Sequence, residues 1–265
     1  MNRTTVVLCG CGHVAQALIK MVKLVGYNCT VIEDRPEYAE KGRQAGADTV
    51  ICGDFALEIS ALETDEKTFF VIMTREHEYD YICLKAIEKK KHAYVGMMGS
   101  RLRASMIRKR MAESGMSEEF LAGLHAPIGI RIHSDTPAEI AVSVMAEIIA
   151  VRAEAGIDDG DPAEFLEALS QRQIHGVRSI QAEVVKRVGS APRGKGAKML
   201  IDADGTCFGT VGGGFMEAQV IQRAKQILSE DLPDEIMHFS LHSAEAVQND
   251  MYCGGEVDVK LERVK

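Results

Sequence analysis

The sequence contains no tryptophan, and its aromatic residues make up only 5% of 265 positions. The hydrophobic core must therefore consist mainly of aliphatic side chains, which supply most of the 46% of apolar residues. No apolar run approaches the ~20 residues that a membrane-spanning helix needs, so no membrane segment is predicted. The first residues, MNRTTVVLCG, lead directly into a strand pattern, and we expect neither a signal peptide nor a transit segment.

The seven cysteines are scattered at positions 9, 11, 29, 52, 83, 207 and 253, and no CxxC pair occurs. This spacing argues against a disulfide scaffold and a zinc ribbon, and it favours a reducing cytoplasm as the location. Cys9 and Cys11 form a CxC pair, but no further soft ligand lies near them in the sequence, so no metal site is predicted. The formal net charge of −8 argues against nonspecific binding to nucleic acid, which needs a basic face.

Short β-branched segments alternate with helical patterns through the first half of the chain. Such alternation predicts parallel βαβ units with right-handed crossovers. After Arg152 the composition changes to an acidic, glycine-rich stretch, and a long strand, a hairpin and another helix pattern follow. The predicted fold class is α/β, with a Rossmann-like parallel-sheet domain over 1–155, a linker over 156–163 and a smaller mixed α+β domain over 164–265.

The segment VVLCGCGHVA places a glycine-rich turn between a strand and a helix. Gly10 permits a tight turn, and Gly12 lets the backbone approach a pyrophosphate. The next strand ends in Glu33 and Asp34, about where a ribose-binding carboxylate belongs, so NAD(P) or another nucleotide is a candidate cofactor. Glu33 favours an unphosphorylated ribose, and Arg35 leaves NADP open. The alternative is a Rossmann-type domain that holds no nucleotide.

Ligands of open α/β sheets lie beyond the carboxyl ends of the strands, so further loops are expected around the same crevice. These loops are TREHEYD, GMMGSR and APIGIRIHSD. His77 and Asp80 are candidates for polar contact or proton transfer, and helix capping is the alternative. The remaining candidate contacts to a nucleotide here are His13, Gly99, Ser100 and Arg101.

A second glycine-rich turn, GTVGGGFMEA, precedes another helix pattern, and the segment KRVGSAPRGKGAKM lies before it. That segment carries five cationic side chains, among them Arg193 and Lys195, and no acidic one. Cationic side chains and the start of a helix both suit a phosphate. The alternative is a solvated charged loop beside glycines chosen for bend geometry. Cys253, just before two glycines, is either a ligand contact or a small packing residue.

These motifs, in this order, resemble the xanthine dehydrogenase accessory (XdhC/CoxI) family over nearly the whole chain. GCGHVAQAL, VIEDRPEYA, VIMTREHEYD and YVGMMGSR are similar to its Rossmann domain, and VGSAPRGKGAKMLIDADGT, GTVGGGFMEAQV and CGGEVDV to its other domain. The resemblance implies a maturation factor that binds the molybdopterin cofactor and assists its sulfuration and insertion into a molybdenum hydroxylase. It assigns to the pterin site Arg193, Gly212, Gly213, Gly214 and Glu217, with Cys253 as a sulfur-side contact.

Two departures from the family pattern matter. In relatives the glycine-triplet domain usually comes first, whereas this chain has the Rossmann-like domain first. Many relatives have cysteine directly after the triple glycine, where this chain has Phe215. A thiol ligand is therefore lost at that position, and Cys253 or Cys207 is left as the candidate thiol contact.

The resemblance favours a cofactor-binding maturation factor without turnover of its own. An NAD(P)-dependent oxidoreductase, with His13 or His77 as its acid or base, is the alternative enzyme function. A module that senses nucleotide or redox state and docks on a partner enzyme is a third hypothesis. The implied partners are the molybdenum hydroxylase apo-enzyme, a cysteine desulfurase and a second copy of the chain; neither nucleic acid nor a membrane is expected.

Overall fold

The structure is a computed structural model that describes residues 3–189, 193–240 and 255–265. The chain forms two compact units, the first ending at Gly160 and the second beginning at Asp161. Each unit has its own sheet and its own hydrophobic core. No helix within the described ranges is both long and apolar enough to cross a membrane.

A parallel sheet of six strands forms the centre of the first unit. Its strands are β1 (Thr5–Cys9), β2 (Asn28–Glu33), β3 (Thr49–Cys52), β4 (Thr68–Ile72), β5 (Tyr94–Met97) and β6 (Leu124–His125). Across the sheet the order is β3-β2-β1-β4-β5-β6, so β2 and β4 lie on either side of β1. The order reverses between β1 and β4, and ligands of open parallel sheets bind at such a switch point. The predicted Rossmann-like fold is confirmed.

Helices connect these strands and cover both faces of the sheet. They are α1 (His13–Leu24), α2 (Pro36–Gln44), α3 (Phe55–Ala61), α4 (His77–Ile87), α5 (Arg101–Glu113), α6 (Glu118–Gly123) and α7 (Pro137–Glu154). Val6 and Leu8 of β1 pack in one buried cluster with α1 and α7. Val7 and Cys9 pack in the other, with α3, α4 and α5. Burial on both faces explains why these strands are almost continuously apolar.

Hydrogen bonds connect the end of the first unit to its start. The Thr4 N–H donates to Asp159 Oδ1 at 2.5 Å, and Arg152 Nη1 donates to Asp159 Oδ2 at 2.9 Å. Because Thr4 leads into β1 and Arg152 lies in the last turn of α7, the chain enters and leaves this unit at neighbouring points.

The second unit is a smaller mixed α+β structure, as predicted. Its strands and helices are α8 (Ala163–Ile174), β7 (Ser179–Gly189), β8 (Lys198–Asp202), β9 (Cys207–Gly209), α9 (Gly214–Glu230), β10 (Glu235–Ser240) and β11 (Gly255–Arg263). The strands pair antiparallel in the order β10-β11-β7-β8-β9. The buried stripe of α9 packs in one cluster with β7, β8 and β11; it consists of Met216, Val220, Ala224, Ile227 and Leu228.

Candidate functional site

The first glycine turn joins β1 to α1 at the switch point of the parallel sheet. Gly10 has φ +102°, and a Cβ there would lie 2.5 Å from the Met73 carbonyl oxygen, so no other residue fits. Gly12 is the N-cap of α1 in extended conformation, and nothing lies within 4 Å of a Cβ placed on it. The turn therefore leaves the start of α1 open to a ligand, as a nucleotide phosphate requires.

Glu33, at the end of β2, is only 1% exposed. Its Oε2 accepts from the Cys11 N–H at 2.8 Å and from Arg35 Nη2 at 3.0 Å. Its Oε1 accepts from the Arg35 N–H at 3.1 Å and from Arg35 Nε at 2.9 Å. The carboxylate thus connects the glycine turn to the end of β2, and each of its two oxygens accepts two hydrogen bonds. The Arg35 guanidinium also lies over the Tyr38 ring, 3.7 Å from its centre.

Asp34 is paired with Arg75 across the top of β1. Arg75 Nη1 donates to Asp34 Oδ1 at 2.7 Å, and its guanidinium lies 4.6 Å from the centre of the Tyr79 ring. Partial burial works against ionisation of Asp34, but hydrogen bonds, first among them that from Arg75, hold the pKa of this carboxyl below its usual value. Because Asp34 follows β2 and Arg75 follows β4, this ion pair spans the strand between them.

Another polar cluster lies at the carboxyl ends of β4 and β5. Asp80 is buried, and it accepts from the Thr74 hydroxyl and from Arg103 Nη2 in a short contact. Arg103 Nε is buried and has no hydrogen-bond partner among the described residues. Asp80 therefore joins α4 to α5, which fits the capping and loop-bonding alternative better than proton transfer.

The other predicted crevice residues lie at the starts of helices. Ser100 is the N-cap of α5, where its hydroxyl accepts from the Arg103 N–H at 3.1 Å, and Arg101 is exposed beside it. His13 and His77 are the exposed first residues of α1 and α4. A Cβ on Gly99 would lie 2.9 Å from Arg103 Cδ, so this glycine makes room for that side chain.

Sequence reasoning missed a partly buried carboxylate behind the loop that follows β6. Glu147 of α7 accepts from the Tyr94 hydroxyl at 2.7 Å and from the Gly129 N–H at 2.6 Å, and it contacts His125 Nδ1 at 2.9 Å. Burial opposes its ionisation, but the bonds from His125, Gly129 and Tyr94 outweigh burial and lower the pKa of Glu147. The sequence signal for this carboxylate was a glutamate within the otherwise apolar helix segment PAEIAVSVMAEIIAV.

The second glycine turn joins β9 to α9. Gly212, Gly213 and Gly214 have φ of +142°, +72° and +62°, a run that L side chains rarely adopt. Nothing lies within 4 Å of a Cβ on Gly213 or Gly214. These two glycines are thus required by backbone conformation and not by close packing, and they leave open space beside the turn.

Glu217 lies in the first turn of α9, and its side chain contacts this glycine turn. Its Oε2 accepts from the Thr210 hydroxyl at 2.5 Å and from the Gly213 N–H at 2.9 Å, and Thr210 Oγ1 accepts from the Gly212 N–H at 3.1 Å. Glu217 Oε1 has no hydrogen-bond partner within the described part of the chain. The carboxylate complements the partial positive charge at the start of α9, so this helix start is not a bare anion site.

The basic segment and the second glycine turn lie at the same end of the sheet. Met199 of β8 is paired with Gly209 of β9, and the Thr210 N–H donates to the Lys198 carbonyl oxygen at 3.0 Å. Arg193 and Lys195, in the loop before β8, are exposed. The strand register of the second unit therefore places the two segments at adjacent strand ends.

Part of the prediction for this unit falls on residues that the structure does not describe. Residues 190–192 of the basic segment and Cys253 lie outside the described residues. Cys207 is exposed at the start of β9, and partial burial, followed by the charges of Glu217 and Asp202, raises the pKa of its thiol. The described residues contain no group of His, Cys, Asp or Glu side chains that could hold a metal ion.

Comparison with protein families gives two matches along the chain. Residues 6–148, more than half of the sequence, match the XdhC Rossmann domain, and residues 175–240 match the XdhC and CoxI family. The Rossmann match precedes the other, which is the order read from the motifs.

Individual relatives match only part of the chain. Uncharacterized protein YqeB of Escherichia coli K12 is 30% identical over 154 residues, 58% of this chain and 28% of that protein. A Bacillus subtilis protein described as a probable xanthine dehydrogenase subunit is 24% identical over 151 residues, 57% of this chain and 44% of that protein. A solved structure of a xanthine dehydrogenase from Bacillus halodurans has a TM-score of 0.51 and 24% identity, covering 62% of this chain and 46% of that one. The Bacillus halodurans structure shows a shared fold. This chain spans less than half the length of each of these three proteins.

Proposed function

Because this chain belongs to the XdhC and CoxI family, we propose that it is an accessory factor for a molybdenum hydroxylase of the xanthine dehydrogenase type. In this role it binds the molybdopterin cofactor and assists the sulfuration and insertion of that cofactor into the apo-enzyme. The apo-enzyme is its proposed partner and the cytoplasm its proposed location. Two relatives named as xanthine dehydrogenase proteins support this choice of client.

One observation carries the cofactor-binding role: the open glycine turn and the cationic loop lie at one end of the second sheet. Molybdopterin carries a phosphate. Arg193 and Lys195 are exposed and make no ion pair with the described residues, so their charges are available to that phosphate. The space beside Gly213 and Gly214 accepts the adjoining part of the ligand.

Glu217 has a separate role in this proposal. A pterin ring presents an amino group and ring N–H groups along one edge, and a carboxylate is a matching acceptor. Glu217 Oε2 is held by Thr210 and Gly213, which orients the carboxylate and leaves Oε1 for the ligand. The phosphate then faces the cationic loop, because Glu217 already supplies negative charge at the start of α9.

Sulfur for the cofactor comes from another protein in this proposal. Partial burial, followed by the charges of Glu217 and Asp202, raises the pKa of the Cys207 thiol and so reduces its thiolate fraction. This direction favours a sulfur donor other than Cys207. A cysteine desulfurase is the proposed donor, and it would act on cofactor already bound to this chain.

The test is retention of molybdopterin by the full chain during gel filtration, followed by pterin fluorescence in the protein peak. We expect the double variant Arg193→Ala, Lys195→Ala to bind about 30-fold more weakly, because it loses two charged contacts of about 1 kcal/mol each. The control is Lys89→Ala, Lys109→Ala, which removes the same charge from exposed positions of the first unit. Unchanged retention by the first variant, or no retention by the wild type at micromolar protein, would contradict the proposal.

A further inference from the structure

The outward face of α7 leads to an inference about the first unit, beyond the proposed function. We propose that a second copy of this chain packs on that face, with its own α7 antiparallel to the first. The two helices thus form the centre of a homodimer, and a two-fold axis relates its copies.

Helix α7 is apolar on its outward side as well as on its inward side. The inward residues are buried in the core of the first unit; they are Ala141, Val144, Met145 and Ile148. The outward residues follow one another at helical spacing; they are Val142, Ala146, Ile149, Ala150 and Ala153. Val142 is 47% exposed and Ile149 39% exposed. The two charged side chains of this stretch, Glu147 and Arg152, are bonded within the first unit. The outward face therefore has no polar side chain over about 17 Å of helix, and a helix that is apolar all round is normally covered.

The apolar face extends onto the loop that follows β6. The Ile130 N–H donates to the Ser143 carbonyl oxygen at 3.3 Å, and the Ser143 hydroxyl donates to the Ile130 carbonyl oxygen at 2.6 Å. These bonds hold Ile130, which is 44% exposed, beside the amino-terminal half of α7. Single exposed apolar side chains are common on protein surfaces, whereas a continuous apolar patch indicates an interaction site.

The order of large and small residues on this face suits a second copy of the same helix. A two-fold axis that passes midway between positions 147 and 148 places Val142 opposite Ala153 of the second copy. The same axis places Ile149 opposite Ala146 of the second copy. Each large side chain therefore meets a small one, so the two helices can pack closely without a gap.

The charges at the two ends of the face favour an antiparallel copy as the occupant. Arg131 follows Ile130 beside the start of α7, and Glu154 lies about three turns beyond Ser143 on the same side of the helix. Arg131 and Glu154 are exposed, and neither makes an ion pair with a described residue. The two-fold axis brings Arg131 of each copy towards Glu154 of the other, so two contacts between opposite charges form in each dimer. A parallel copy would instead bring like charges together.

The experiment measures dimerisation of the full chain by sedimentation velocity over a range of concentrations. We expect the wild type to dimerise at micromolar protein. Ala146→Glu should weaken the dimer about 100-fold, because it buries a charge without a partner in the middle of the interface. Ala112→Glu is the matched control, since it makes the same change at an exposed position of α5, and it should leave the dimer unchanged. Far-UV circular dichroism verifies that each variant is folded.

Charge reversal tests the antiparallel arrangement. Arg131→Glu and Glu154→Arg should each weaken the dimer about 10-fold, because each variant turns two attractions per dimer into repulsions. The double variant should return the affinity to within about 3-fold of the wild type. The inference is overturned if the wild type stays monomeric at high micromolar protein, if the dimer tolerates Ala146→Glu, or if the double variant is no better than the single ones. A monomer whose binding to the apo-enzyme is weakened by Ala146→Glu would likewise overturn it and assign the face to the client. None of these results affects retention of molybdopterin, which reports on the second unit.

Discussion

Replacing Glu33 by glutamine tests whether this buried carboxylate holds the first glycine turn in place. The amide keeps the shape of the side chain but loses its charge, and its NH₂ group would face N–H donors. At least one of the four hydrogen bonds at 2.8–3.1 Å must break, and the pairing with Arg35 is lost. The structure therefore predicts a large loss of stability from a substitution that changes volume hardly at all.

The size of the effect follows from burial. Breaking a fully buried ion pair by removing one partner costs about 3–5 kcal/mol. Arg35 is 27% exposed, so water can solvate part of its guanidinium, and we expect about 2–3 kcal/mol. For a unit of this size, about 2–4 °C of melting temperature correspond to 1 kcal/mol, which gives a decrease of about 5–10 °C.

The assay must not depend on tryptophan, which this chain lacks. Thermal melting followed by far-UV circular dichroism gives the overall change, and hydrogen exchange read by mass spectrometry gives the local one. Exchange of the Cys11 amide should become faster, because Glu33 Oε2 is its acceptor. Glu40→Gln is the control with the same loss of charge. A change below about 0.5 kcal/mol, or unaltered exchange at Cys11, would refute the reasoning.

Two further predictions concern other parts of the first unit. Gly10→Ala should lower the free energy of unfolding by about 3 kcal/mol in a urea titration, because its Cβ would meet the Met73 carbonyl oxygen at 2.5 Å. Gly26→Ala, at φ +81° in open space, should lower it by only about 1 kcal/mol. Equal losses in the two variants would contradict this prediction. The pKa of Glu147 is lowered in the folded state from its ordinary 4.5, so its contribution is present above about pH 4.5 and is lost as pH falls. Glu147→Gln should therefore reduce stability at neutral pH and flatten its decline between about pH 5 and pH 3; a parallel decline in both proteins would be the contrary result.

The sheet of the first unit was predictable because its signal is local. Each strand is a short apolar run, and each long helix repeats its buried positions, as Ala15, Leu18, Ile19 and Val22 do in α1. The short elements α3, α6 and β6 were not predicted. They have seven, six and two residues, too few to establish a helical or strand period, and they form because the surrounding structure buries Phe55, Phe120 and Leu124.

The candidate site was predictable as a location but not as a set of contacts. Sequence placed Glu33 and Asp34 at the end of a strand, yet their partners depend on side-chain directions and on chain that is distant in sequence. Arg75 is 41 residues from Asp34, and only the strand order brings the two loops to opposite sides of β1. The contact of Glu217 with Gly213 spans four residues, so an acidic residue in the first turn of a helix was a usable signal.

The bond from Thr4 to Asp159 bears on how such a chain can be assembled in evolution. A module whose two ends emerge together can be attached on either side of another module, or inserted into one, without rethreading its sheet. For this chain, the position of the Rossmann-like unit before the second unit therefore imposes no topological penalty.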